Sequence, residues 1–190
     1  MRGRPRDPRV EEAILRATLD LLAESGYTRL SIEAVARRAA VSRPTVYLRW
    51  RSKAHLVHEA VFPDMTAEEL PVPANATFAE DVRHLVDGAV VYLSRPEVLA
   101  ATPALMAEFA DDPQLHRLMA ARLDDRIRAR LREHVAGAVA RGEVRAELDA
   151  DVLLDAITGS VLFMLLIRPA DAHRFARALT DLLLHGLLAP

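Results

Sequence analysis

Serines at positions 31, 42 and 52 punctuate the first third of the chain. Each stands just before a short run with helical spacing. A serine hydroxyl in that position accepts a backbone N–H that the first helical turn leaves unsatisfied. Ser31 heads a predicted helix through Ala39, with Val35, Ala36 and Ala39 on one face. Ala40-Val41 forms a tight turn. Ser42 heads a helix to about Arg49-Trp50, with Pro44 tolerated in its first turn. Ser52 heads a fourth, with Leu56, Val57, Ala60 and Val61 facing inward. Upstream, Asp7-Pro8 starts a helix that carries Val10, Ile14, Leu15, Thr18, Leu21 and Leu22 on one stripe, and Ser25-Gly26 ends it. Two short helices joined by a tight turn, the second led by a capping serine, are a helix-turn-helix pattern. In such a pair the second helix enters the major groove, where each base pair presents a distinct set of donors and acceptors.

Beyond Phe62 the chain changes character. Pro63, Pro71 and Pro73 mark a linker, and a boundary falls between residues 62 and 63. Five longer helical segments follow, at about 78–94, 97–110, 113–141, 149–168 and 171–188. Pro103 is a potential break in the second, and Pro169 stops the fourth. Ala, Leu and Arg dominate, all strong helix formers, and no strand-like alternation interrupts them. The expected fold is all-α, with about nine helices: a helix-turn-helix head over residues 1–62 (1–6 a basic arm) and a helical body over 63–190.

The charge is divided between these parts. Residues 1–60 carry twelve Lys/Arg against seven Asp/Glu, whereas the remainder carries thirteen against twenty. A basic head on an acidic body suits a head that meets a polyanion. There are no cysteines, which excludes disulfides and thiolate metal sites and suits a reducing cytoplasm. The N-terminal Met-Arg-Gly-Arg-Pro-Arg has no apolar stretch behind it, so no secretory signal is expected. The uncharged run Ala156–Ile167 is shorter than the roughly 20 apolar residues that span a bilayer. No membrane partner is expected.

The segment from Ser31 to Leu56, SIEAVARRAAVSRPTVYLRWRSKAHL, resembles the TetR family of bacterial regulators. The family pattern runs from a small-residue helix through an Ala-Gly-Val-Ser turn to a Thr-hydrophobe-Tyr recognition helix, then an aromatic and a Ser-Lys pair. Ala39, Val41, Ser42, Thr45, Val46, Tyr47, Trp50, Ser52 and Lys53 match it. Three positions depart. Ala40 replaces the usual Gly, costing about 1 kcal/mol if the turn needs φ > 0. Pro44 replaces a common Gly and Arg49 a common His, so operator preference does not transfer from relatives.

The residues of the expected DNA face follow. Arg43 heads the recognition helix and is the main base-reading candidate, since arginine pairs bidentately with guanine O6 and N7; a phosphate contact is the alternative. Pro44 offers apolar contact to a thymine methyl. Thr45 and Tyr47 carry hydroxyls suited to phosphate oxygens, although the Tyr47 ring could instead be core. Ser42 is a cap first and a DNA contact second. Lys53, the chain's single lysine, stands at a helix start as a phosphate clamp. Arg37, Arg38, Arg49 and Arg51 are further phosphate candidates, or solvated surface, and Trp50 reads as core. Arg2, Arg4 and Arg6 resemble the core of an AT-hook that enters a narrow minor groove, or else form a non-specific basic tail.

The same resemblance implies a homodimer formed by the last two helices and an apolar cavity for a small-molecule effector. Ala156, Gly159, Ser160, Phe163, Leu179, Leu182 and Leu183 are the dimerisation candidates. His84, Tyr92, Met106, Phe109, His116 and Met119 are the ligand-lining candidates, or ordinary core. The expected protein is thus a cytoplasmic repressor that binds double-stranded DNA at a palindromic operator and is released by an apolar or aromatic ligand. A DNA-binding activator or architectural protein without a ligand would carry the same head. An enzyme is not expected, and neither is a cofactor: there is no HExxH, Gly-rich phosphate loop or nucleophile elbow. His55 and His58, with Glu59 beside them, lie one turn apart, but no further defined ligand completes a metal site.

Overall fold

The computed structural model describes residues 8–62, 77–168 and 171–186; at 116 and 118–127 it describes backbone only. The arm with Arg2, Arg4 and Arg6, the prolines of the linker and the side chains of His116 and Met119 lie outside the described residues. Those residues form nine helices and no strand: α1 (Pro8–Arg29), α2 (Ile32–Arg38), α3 (Arg43–Tyr47), α4 (Lys53–Val61), α5 (Phe78–Leu93), α6 (Pro96–Asp111), α7 (Pro113–Ala140), α8 (Ala150–Leu166) and α9 (Ala172–His185).

They group into two compact units. The first holds α1–α4, α6 and the start of α7. In it α1 packs on α2, α4 and α6, and α2 packs on α3. Ile14, Leu22, Val35, Val46, Trp50, Leu56, Val57 and Leu105 are among its fully buried side chains, each at most 2% exposed. The second unit holds α5, the rest of α7, α8 and α9, with α5 packed on α8 and α9. Val82, Val86, Ile157 and Val161 are its centre.

Local chemistry explains most boundaries. All three serines cap as expected: Ser31 Oγ accepts from Ala34 N–H, Ser42 Oγ from Thr45 and Ser52 Oγ from His55, at 3.2, 3.3 and 3.1 Å. Thr77 and Glu80 make a reciprocal capping box that starts α5. Two boundaries differ from expectation. Gly26 (φ 72°, ψ 172°) breaks the helix where expected, but a short second helical segment follows through the buried Tyr27 to Arg29. The third helix stops at Tyr47, with Leu48 as its C-cap. Pro103 does not break α6: it lies on the helix's exposed side, and Thr102 Oγ1 ties the preceding turn to Val98 O at 2.7 Å.

Candidate nucleic-acid interface

The turn between α2 and α3 is a Schellman motif. Val41 N–H donates to Ala36 O at 2.9 Å, and Ala40 N–H to Arg37 O at 3.2 Å. This geometry puts the residue between them in the left-handed region. Ala40 adopts it, with φ 55°, as the sole non-glycine positive φ among the described residues. The motif recurs at the end of α7, where Gly142 (φ 71°) takes the same place. The anticipated strain at Ala40 is therefore present, held by the two hydrogen bonds and by Val35 and Ala36 anchored beneath.

On this turn α3 is presented outward. Val46 is fully buried and fixes the helix, and Trp50 is fully buried below it, as its reading as core predicts. On the other side Arg43, Pro44, Tyr47 and Leu48 are exposed. Tyr47 is 47% exposed, so its ring belongs to the surface and not to the core. Leu48 is 87% exposed, the most exposed large apolar residue described in the chain. Sequence reasoning passed over it because it lies between two polar candidates and carries no donor or acceptor. Thr45 is half-buried, and its hydroxyl lies 2.8 Å from that of Ser42.

The cations around α3 are held rather than loose. Arg43 pairs through Nη1 with Glu33 on α2, and its guanidinium lies 6.0 Å from the centre of the Tyr47 ring. The Tyr47 hydroxyl and then Glu33 push the Arg43 guanidinium still further up, so it stays charged. Arg49 pairs with Glu11 on α1 and lies over Trp50 at 5.8 Å. Arg38 makes a bidentate pair with Glu24, at 2.9 and 2.7 Å, and Arg37 is exposed beside it. Lys53 opens α4. Its Nζ lies 4.0 Å from the Tyr27 ring centre and donates to Tyr27 O at 3.3 Å. Tyr27 is fixed in turn by its hydroxyl, which donates to Glu108 on α6 at 2.5 Å. The lysine therefore stands at a capped helix N-terminus, where free N–H groups and its own charge both favour an anion.

The candidate ligand residues are scattered. His84 and Met106 face solvent; Tyr92 carries Arg95 over its ring at 4.7 Å, and Phe109 meets His58 edge-on at 5.8 Å. In the second unit, a groove of about 790 Å³ is lined by Phe78, Val82, Leu148, Leu153 and Leu183 with Arg83 and Arg145. Neither His84 nor Tyr92 lines it. Of the dimerisation candidates, Gly159, Phe163 and Leu182 are exposed, Ala156, Ser160 and Leu183 are half-buried, and Leu179 is buried within its own chain. No cluster of three or more metal-binding side chains occurs among the described residues. No described helix is long and apolar enough to cross a membrane.

A short outward helix on a braced turn, ringed by arginines and a lysine, defines a helix-turn-helix DNA-binding protein. Residues 14–60 match the model of the bacterial regulatory proteins of the tetR family, and residues 72–183 match the tetracyclin repressor-like C-terminal domain. The chain belongs to the TetR family of transcriptional regulators. It is 30% identical over 166 residues to the uncharacterized HTH-type transcriptional regulator YdeS of Bacillus subtilis, covering 87% of this chain and 83% of that one. It is 26% identical over 191 residues to the DNA-binding transcriptional repressor TetR of Mycobacteroides abscessus, covering 90% of each. The crystal structure of the TetR family regulator SCO0332 superposes with a TM-score of 0.76 at 27% identity, covering 95% of this chain and 99% of that one.

Proposed function

We propose that this regulator is a homodimeric repressor that grips a palindromic operator and leaves it when a small apolar or aromatic ligand binds. The observation that carries the DNA-binding part is the exposure of Arg43, Pro44, Tyr47 and Leu48 around a fully buried Val46. One such helix reads only a few base pairs, so a two-fold pair of heads is the economical solution. Residues 1–62 act as the DNA-binding domain and 63–190 as the ligand-binding and dimerisation domain, a division supported by the separate family matches to 14–60 and 72–183. Arg43 reads a base edge; Lys53, Arg37, Arg38, Arg49, Thr45 and Tyr47 hold phosphates. The repressor role is supported by the relative from Mycobacteroides abscessus, which bears that name.

The dimer face is α8 with α9. Val152 and Phe163 on α8, Ile167 at its C-cap and Leu182 on α9 are exposed apolar side chains, an excess that suits a partner. A Cβ at Gly159 would meet open space in its own chain, so its small size leaves room for a neighbouring helix. The ligand acts by favouring one separation of the two heads over the one that fits the operator. Such a compound would lie in the groove floored by Phe78, Val82 and Leu153, whose lining also carries Arg83, Glu143 and Arg145.

Footprinting with the full chain tests the proposal. It expects two protected half-sites about one helical turn apart, transcription from the adjoining promoter reduced in vitro, and protection lost with one member of an apolar-compound panel. Protection of a single asymmetric site, or transcription raised by the protein, would contradict it.

A further inference from the structure

Three of the arginines proposed to meet DNA are tied to carboxylates: Arg43 to Glu33, Arg49 to Glu11 and Arg38 to Glu24. These pairs are at least partly exposed, and exposed ion pairs contribute little to stability. Their role lies elsewhere. Glu33 and Arg43 are both more than half exposed, on different helices, and meet on the outward side of the head. Arginine has five donors in a planar fork, and the Glu33 contact is made through Nη1, which leaves a second edge for a bidentate acceptor. A phosphate and a carboxylate compete for the same cation and repel each other. The O6 and N7 of guanine are neutral acceptors and suffer no such repulsion.

We infer that Glu33 is a specificity-determining residue for DNA, holding Arg43 toward base edges and away from phosphates. The inference rests on the base-reading role proposed for Arg43. Glu33 touches the reader rather than a base, so it is a positioning residue, and its effect belongs in the ratio of two affinities and not in either one. Random duplex offers Arg43 mainly phosphates, and Glu33 penalises that mode. At the right site Arg43 sits on guanine, and Glu33 steadies it.

The test uses the full chain, the duplex it selects from a random pool and a scrambled duplex of equal length. Glu33→Gln is expected to tighten binding to the scrambled duplex several-fold and steepen its salt dependence by about one unit of slope. Binding to the selected duplex should gain nothing, so discrimination falls by the same several-fold factor. Glu12→Gln removes the same charge from an exposed position paired with Arg16 on α1, and should leave the ratio unchanged. In the Arg43→Ala background, adding Glu33→Gln should not lower the ratio further. Thermal melts of each variant confirm that both glutamines fold. If Glu33→Gln shifts both affinities by one common factor, as Glu12→Gln does, the inference is wrong while base reading by Arg43 stands. If Arg43→Ala itself loses no discrimination, base reading falls, and this inference falls with it.

Discussion

Ala40 is where one residue can be judged against an identical motif elsewhere in the same chain. Both Schellman turns demand a left-handed residue, and α7 supplies glycine where the DNA-binding turn supplies alanine. A left-handed alanine costs about 1–2 kcal/mol, offset in part by the lower unfolded-state entropy of alanine. Ala40→Gly should therefore raise stability by about 0.5–1 kcal/mol, read as a melting temperature higher by a few degrees. A lower melting temperature would mean that the turn relaxes in solution. Lys53 makes the second residue-scale case. It is held by Tyr27 at a helix start, with no base-reading geometry about it. Lys53→Ala should weaken binding to every duplex alike and flatten the salt dependence by about one unit of slope, measured by fluorescence anisotropy. The identity and placement of Lys53, Trp50 and the capping serines were legible in the sequence, because each rests on local chemistry. The exposure of Leu48 and the carboxylate partners of the arginines were not, because both depend on how α1, α2 and α3 cross.

Helices α7 and α8 are joined by charge. Arg132 Nη2 lies 2.6 Å from Asp151 Oδ2, while Arg128 reaches Asp155 Oδ1 at 2.6 Å and Asp151 O at 3.2 Å. The hydrogen bond from Arg132, aided by its charge and that of Arg128, holds the Asp151 carboxyl below the usual carboxylate range. A carboxyl depressed in the folded chain takes up its proton later than in the unfolded chain. Its stabilisation is then complete above the ordinary aspartate range and is lost as the pH falls through the depressed value. The melting temperature should accordingly drop below about pH 4, and Arg132→Gln should make that drop shallower while lowering stability at pH 7. An identical acid profile in the variant would remove Arg132 as the cause. At this scale the sequence was a fair guide: three helix starts fell where Ser31, Ser42 and Ser52 placed them. Gly26 breaks the helix as read, but the short segment that follows it to Arg29 was not foreseen. Tyr27 explains the difference, since its buried ring and its hydroxyl to Glu108 draw the chain inward and let the helix restart.

At the scale of the whole chain, a basic N-terminal helix-turn-helix segment precedes an acidic remainder. The helix-turn-helix segment was legible in the capping serines and the charge split, but the grouping of α6 and the start of α7 with α1–α4 was not, because it joins segments distant in the chain. The lining of the groove in the second unit was not, because Phe78, Val82, Leu148, Leu153 and Leu183 come from distant segments and no local pattern links them. The apolar excess on α8 and α9 was legible, but which of its residues remain outside was not: Leu179 turns inward and Phe163 outward. If that outer face is the dimer seam, Phe163→Arg should leave a folded monomer by sedimentation, with operator affinity lowered at least a hundredfold because one head must then bind alone. A dimer that persists in Phe163→Arg would place the seam elsewhere.

The central claim is that the face around Arg43, Tyr47 and Lys53 recognises a particular DNA sequence. Gel shifts of the purified full chain across a salt series, on the DNA upstream of its own gene and on a random duplex of the same length, test it most directly. A discrete complex is expected on the upstream DNA that survives salt sufficient to dissolve the random one, and that is lost in Arg43→Ala. Complexes that form and dissolve together on both duplexes, together with failure to enrich any site from a random pool, would contradict it.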